Sequence, residues 1–290
     1  MQAPSRPGAV EPRIDLHVHS HHSDGTLSPL ELAALAARRQ LRLWSLTDHD
    51  TVAGCEAAAL ASRAAGIHFV PGCELSCEWR GREIHVVGLG VDPHSAALGA
   101  EMQRTAGERR RRIAAIGEKL QAAGLPGREL AAGLLAGDAM PTRMHVARRL
   151  TELGHVRDPE EAFQRWIGRG QRAAVPAEWS PMARAVEAIL AAGGLPVLAH
   201  AHRYKLSNGA LGELCAAFQA AGGVGLEVSL AGLSPQVAAR LATHARRHGL
   251  AGSVGSDFHE PGLPWRPLGR LDKLPEGIEP IAARLVARRA

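Results

Sequence analysis

The histidines and carboxylates of this chain collect in short, ordered sites. His17 and His19 stand at i, i+2, a spacing that turns both imidazoles to the same side of an extended segment. Ser20-His21-His22-Ser23-Asp24-Gly25 follows at once. Then come Thr47-Asp48-His49-Asp50, Gly72-Cys73-Glu74, a lone His85, His200-Ala201-His202-Arg203 and Gly255-Ser256-Asp257-Phe258-His259. One His on a strand is ordinarily a core residue. Six such sites on seven expected strands are hard to explain by packing. Buried ionisable groups at that density need a cation or a partner to offset desolvation. Imidazole and carboxylate without thiolate suit Mn²⁺, Fe²⁺ or catalytic Zn²⁺. The candidate metal ligands are His17, His19, Asp24, His49, Glu74, His85, His200, Asp257 and His259. At about three or four protein ligands per ion, with one carboxylate bridging, they imply two or three divalent ions.

Something must hold these groups on one face. Short, nearly continuous apolar runs predict strands over residues 14–20, 43–47, 68–75, 83–89, 195–200, 224–229 and 251–256. Helical patterns follow most of them, at 28–40, 52–65, 181–192, 209–221, 234–248 and 278–289. Ser28-Pro29-Leu30-Glu31 reads as an N-cap, a first-turn Pro and a first-turn carboxylate. Gly66 and Gly249 fall where helix C-caps belong. Repeated βα units point to an α/β fold, a barrel or a doubly wound sheet, with polar residues at the strand ends. Residues 99–170 break the rhythm. No strand is expected there, and helices are predicted over 100–123, 128–137, 142–153 and 159–167, as an insertion. The expected division is a flexible N-terminus (1–13), a barrel domain (14–98 and 171–290) and a helical insertion (99–170).

Composition narrows the class. With 290 residues, 46% hydrophobic and 22% charged, the chain reads as globular, and collagen-like, disordered and coiled-coil classes fall away. No apolar run approaches membrane-span length, and Met1 to Arg13 hold no apolar leader core. Cys55, Cys73, Cys77 and Cys215 make no C-x-x-C pair, so a reducing cytoplasm is expected. The net charge is +5; Lys stands only at 119, 205 and 273, and the other basic residues are Arg. Arg suits bidentate phosphate recognition. Aromatics are 3%, too few for an extended base-stacking platform.

The ordered motifs resemble those of the PHP (polymerase and histidinol phosphatase) family. They are Asp15-Leu16-His17-x-His19-Ser20 with Ser23-Asp24-Gly25, Thr47-Asp48-His49-Asp50, Gly72-x-Glu74, His85, Ala199-His200 and Gly255-Ser256-Asp257-x-His259. The resemblance implies a distorted seven-stranded (β/α) TIM-like barrel and a trinuclear grouping. His17, His19, Glu74 and Asp257 would hold one ion, Glu74, His85 and His200 a second, and Asp24, His49 and His259 a third. Within the family the chain most resembles the branch with a helical insertion that hydrolyses nucleoside 3′,5′-bisphosphates and shortens small RNAs from the 5′ end (the RNase AM type). That likeness rests on the insertion's length, on Thr142-Arg143-Met144-His145-Val146-Ala147-Arg148, Gly168-Arg169-Gly170, Val175-Pro176 with Trp179, and Ala192-Gly193-Gly194. Ala201 stands where the branch has Pro, and His202 is an added imidazole.

The expected chemistry is metal-assisted phosphoester hydrolysis, with a hydroxide bridging two ions attacking phosphorus in line. Asp257, His259 and His200 are the expected catalytic residues, and Arg143, His145, Arg169 and Arg203 the expected phosphate contacts. The substrate would be a small phosphorylated nucleotide, with short RNA as an extension; no membrane and no obligate protein partner are expected. Other residues take plainer roles. Asp15, Asp48 and Asp50 orient ligands. His21 and His22 face solvent or back up the ligands. His68, His94, His155, His244 and His248 are structural, and Cys73 and Cys77 pack. Arg109-Arg110-Arg111-Arg112 reads as a solvated helix face. Competing readings are a histidinol-phosphate-type phosphatase, a metal amidohydrolase and a non-catalytic nucleic-acid module. The amidohydrolase would need a modified Lys on strand four, where this chain has none.

Overall fold

The structure, a computed structural model, describes residues 13–262 and 266–287. The expected flexible N-terminus lies outside the described residues except for Arg13. Seven strands form one sheet in chain order: β1 (Arg13–Asp15), β2 (Leu41–Leu46), β3 (His68–Trp79), β4 (Arg82–Leu89), β5 (Leu195–Leu198), β6 (Gly225–Leu230) and β7 (Ala251–Gly255). Helices α1 (Pro29–Arg38) and α2 (Cys55–Ala64) separate the first three strands. The remaining helices that connect or follow sheet strands are α7 (Met182–Ala191), α8 (Asn208–Ala220), α9 (Pro235–Arg247) and α10 (Ile281–Ala287). The architecture is α/β, as the alternating pattern predicts. Ser28 caps α1 in a reciprocal capping box with Glu31, as its sequence foretells.

The sheet is mostly parallel, with one reversal. β4 runs antiparallel to both β3 and β5. A uniform βα rhythm does not predict this. The cause is local: Arg80 and Gly81, at φ 51° and 70°, close a two-residue turn between β3 and β4. Positive φ at both positions gives a turn whose twist matches a hairpin, and two residues cannot carry the helical crossover a parallel pair needs.

β1 is shorter than the expected 14–20 run, but the chain beyond it stays tied to two strands' ends. Thr47 N donates to Val18 O at 2.8 Å, and on the other side Leu16 N donates to Val254 O at 3.0 Å and Asp257 N to His17 O at 2.9 Å. Strand alternation then sorts the side chains. Cys73, Leu75, Cys77, Ile84 and Val86 join the apolar cluster under α7 and α8. Glu74, Ser76 and His85 take the opposite side, where Val70, Val87, Leu89 and Val197 form a second cluster.

Between β4 and β5 the chain forms α3 (Ala96–Ala122), α4 (Gly127–Ala136), α5 (Arg143–Glu152) and α6 (Pro159–Ala162), the last running into a π-helical turn, Phe163–Ile167. This segment has its own apolar cluster, including Ile113, Ile116, Leu120, Leu130, Val146 and Leu150. The four-arginine run is not the solvated face its charge suggests. Arg109 and Arg112 are each 7% exposed, while Arg110 and Arg111 face solvent. The reason is helical phase: positions 109 and 112 share the face of Thr105, Ile113 and Ile116, which packs inward.

Candidate metal centre

Glu74 stands at the middle of the site. β3 presents it fully buried, and its two oxygens are divided among five imidazoles. Oε1 lies 2.7 Å from His200 Nε2 and 3.0 Å from His85 Nδ1. Oε2 lies 3.0 Å from His49 Nδ1 and 3.4 Å from both His17 Nε2 and His19 Nε2. The i, i+2 pair behaves as strand alternation requires: His17 Nε2 and His19 Nε2 point to one spot, 3.0 Å apart, with Asp257 Oδ1 at 3.5 and 3.3 Å. Asp24 Oδ1 sits 3.2 Å from His259 Nε2 and 3.8 Å from His49 Nε2. The nine expected ligands therefore come together in one place. Four sets among them have donor atoms within 4.8 Å of one another: His19-Asp24-His49-His259, His17-His19-Asp257, His17-Glu74-His200 and His49-Glu74-His85.

Such a cluster is unstable without compensation. Burial would raise the Glu74 carboxyl, yet His49, His17 and His85 hold it well below the usual carboxylate range. Asp24 behaves likewise beside His49 and His259. At His19 burial, with His259 and His49 alongside, pulls the ring down to about 3, which keeps it neutral with one ring-nitrogen lone pair free. At His85 burial opposes charge, but Glu74 and Glu83 lift the ring to about 10. Asp24 Oδ1, Glu74 Oε2 and His49 Nδ1 are buried and make no hydrogen bond of acceptable geometry, the 3.0 Å approach of His49 Nδ1 to Glu74 Oε2 included. Buried polar atoms are nearly always satisfied, so converging lone pairs of this kind fit divalent cations.

The backbone is bent where ligands are delivered. Asp50, His200 and Asp257 have φ of 49°, 26° and 52°. Non-glycine residues adopt this left-handed region at a cost, and it recurs at functional sites.

Outer contacts fix the ligands. Asp48 accepts from Ser20 N, Ser20 Oγ and Ser23 Oγ at 2.6–2.7 Å. Asp15 accepts from Ser256 N and Gly269 N at 2.9 and 2.8 Å. Asp50 accepts from Ser76 N at 2.7 Å and Arg109 Nε at 2.6 Å. Sequence reasoning missed Glu227. It is buried on β6, with Oε1 2.6 Å from His17 Nδ1 and Oε2 accepting from the His200 backbone N–H. The signal was an acid inside the apolar run Gly225–Leu230. It also missed Arg266, which with Arg203 donates to Asp257 Oδ2.

A cleft of about 890 Å³ opens over the cluster. Arg143, Arg169, Arg203 and Arg266 line it. Arg143 lies 3.6 Å from Glu83 and over the Phe163 ring. His145 is placed differently: its Nδ1 accepts from Thr142 N at 3.0 Å, closing the α5 capping box. The His202 ring is half-buried, and burial beside Arg203 and His200 lowers it to about 4. His68 and His94 are exposed, and His244 Nε2 pairs with Asn208 Oδ1 at 2.8 Å.

A family model described as PHP domain matches residues 15–125. A 5′-3′ exoribonuclease of Haemophilus influenzae is 40% identical over 93% of this chain and 97% of its own length. A 3′,5′-nucleoside bisphosphate phosphatase of Chromobacterium violaceum is 40% identical over 95% of this chain and 97% of its own. A solved structure from Chromobacterium violaceum, described as an amidohydrolase, superposes with a TM-score of 0.89 at 39% identity, covering 95% of this chain and 96% of that one. One from Bifidobacterium adolescentis, assigned as a metal-dependent phosphoesterase, gives 0.81 at 28% identity, with 97% of each chain covered.

Proposed function

The chain belongs to the PHP family, and from that premise we propose that it is a metal-dependent phosphoesterase acting on nucleotides. The favoured reaction is removal of the 3′-phosphate from nucleoside 3′,5′-bisphosphates, with 5′-3′ trimming of short RNA as an extension. The observation that carries it is Glu74 shared among five imidazoles, with buried lone pairs left over.

In this reading His17, His19, Asp24, His49, Glu74, His85, His200, Asp257 and His259 hold two or three divalent ions, Mn²⁺ foremost and Zn²⁺ or Fe²⁺ as alternatives. Such ions, when bound, supply an activated water and neutralise charge on the phosphate. The chain's own residues do the rest. Asp257, His259 and His200 act at the reacting centre through the cations they hold. Arg203 and Arg266, both on Asp257, fix that carboxylate and face the cleft. Arg143 and Arg169 grip a second phosphate from the helical side, where guanidinium geometry suits it. His145 contributes by capping α5, which carries Arg143.

The same reading takes the sheet as a distorted seven-stranded barrel, supported by the bonds from Leu16, His17 and Val18 to both β2 and β7 sides. Residues 14–98 and 171–290 would form it and 99–170 the insertion. A cytoplasmic setting suits four buried, free cysteines; no described helix is long and apolar enough to cross a membrane. The amidohydrolase reading, though it is the description given to one solved neighbour, is disfavoured because β4 carries no Lys to bridge two metals. Small substrates are favoured over long RNA because Trp179, which could stack a base, already lies beneath Arg109 and Arg112.

The test is turnover of adenosine 3′,5′-bisphosphate, a 5′-phosphorylated oligoribonucleotide and histidinol phosphate, before and after chelation and Mn²⁺ re-addition. Phosphate release from the bisphosphate that vanishes on chelation and returns with Mn²⁺ is expected. Undiminished activity in metal-free protein overturns the proposal.

A further inference from the structure

The helical segment between β4 and β5 reaches the candidate ligands unevenly. Its direct contacts converge on the set His19-Asp24-His49-His259. Thr142 Oγ1, at the start of α5, donates to Asp24 Oδ2 at 3.0 Å. Arg148 on α5 donates to the Asp24 carbonyl at 2.6 Å. Met140 N donates to His22 O at 2.8 Å, so the segment also grips the loop that carries Asp24. From α3, Arg109 Nε donates to Asp50 Oδ2 at 2.6 Å and its NH2 to Ser76 Oγ at 2.7 Å. Asp50 directly follows His49, sits in the left-handed region and hydrogen-bonds to the Glu74 carbonyl and the Ser76 N–H. Arg109 therefore sets the path of the backbone that presents His49.

The other ligands are held from the sheet. Glu227 on β6 fixes His17 and the His200 backbone. Tyr204, in the short helical turn after β5, accepts from His85 N at 2.9 Å and donates to Ala199 O at 2.8 Å. The helical segment approaches this half indirectly, through Arg112 and Arg143 on Glu83, whose carboxylate is 3.7 Å from His85.

We propose that the helical segment governs one ion position of the centre, the one formed by Asp24, His49 and His259, with Thr142 and Arg109 as its positioning residues. This rests on the metal-dependent reading above. Partners that orient metal ligands typically contribute about 10- to 100-fold in affinity. Two such clamps, on different helices, bear on the same position.

The experiment measures Mn²⁺ retained per chain by elemental analysis after equilibrium dialysis across a Mn²⁺ series, on folded full-length protein. The variants are Thr142→Val, Thr142→Ser, Arg109→Lys and Glu227→Gln. Thr142→Val and Arg109→Lys are each expected to lose one ion relative to wild type at limiting Mn²⁺. That ion should return at about 10- to 100-fold higher concentration, with the remaining ions bound as before. Thr142→Ser, which keeps the hydroxyl, should restore it. Glu227→Gln should weaken a different ion. If Thr142→Val and Arg109→Lys match wild type, or weaken every ion equally, the proposal is overturned. If wild type itself retains no Mn²⁺, the metal-dependent reading fails instead. Should Arg109→Lys not fold, Thr142→Val against Thr142→Ser still decides.

Discussion

The sheet and the helical segment both put charged residues in the interior, by different means. On the sheet the charges are carboxylates and imidazoles that meet one another, and nearly all come from short motifs at strand ends. In the helical segment they are arginines, spaced along α3 and α5, that meet carboxylates far away in sequence. Arg109 reaches the Asp50 carboxylate across 59 positions and Arg112 the Glu83 carboxylate across 29, while Arg148 reaches the backbone carbonyl of Asp24 across 124. The sheet supplies a centre that concentrates negative charge and lone pairs. The segment supplies cations that brace that centre and face the cleft. In the proposed function the first region would hold cations and the second an anion, as a phosphoester bound between metal ions and arginines requires.

The contrast can be broken at its strongest point first. Glu74→Gln removes the shared carboxylate, and both turnover and bound metal should fall beyond the about 100-fold that loss of an outer partner costs. Retained Mn²⁺ with retained activity would show that Glu74 is not the centre. Next comes the interior of the segment. Arg109→Ala strands Asp50 in a buried site and should cost about 3–5 kcal/mol in urea unfolding. Leu120→Ala, at a position with no exposure, should cost about 2–5 kcal/mol by the same measurement. Arg143→Ala sharpens the comparison at the cleft: its KM for a bisphosphate should rise about tenfold, the loss of one charged hydrogen bond, with a smaller change in kcat. A fall confined to kcat would place Arg143 at the reacting phosphate. The smallest effect belongs to Arg111→Ala. Its own side chain is 49% exposed and its partner Glu108 lies one turn away on the same helix, so the melting temperature should barely move. Equal losses at 109 and 111 would remove the distinction between buried and exposed positions on α3.

The cleft adds a finer contrast. Arg203 and Arg266 share Asp257, and Arg112 and Arg143 share Glu83. Each cationic pair is held by one carboxylate. The first pair sits on a candidate ligand, whereas the second sits on a residue outside the nine.

The metal-ligand candidates were legible in sequence because each motif is local. An i, i+2 spacing in an extended segment puts His17 and His19 on one side, even though β1 itself ends at Asp15. The same locality made the Ser28 cap, the C-cap glycines and the four helices of residues 99–170 readable. The alternation that buries Cys73 and Cys77 also sends Glu74 to the opposite face.

What tertiary structure alone decided is long-range. The reversal of β4 follows from the Arg80-Gly81 turn, but its consequence for His85 depends on which strands pair. Glu227 carries no motif; it became part of the site because β6 pairs with β5, just beyond which His200 lies. Arg109 and Arg112 look like surface charge in the sequence, and only the docking of α3 shows that their face is covered. The type and order of the ligands are written into short segments, where backbone geometry acts over a few residues. Which charge meets which carboxylate is settled when elements pack, because burial sets that energy and depends on the whole fold.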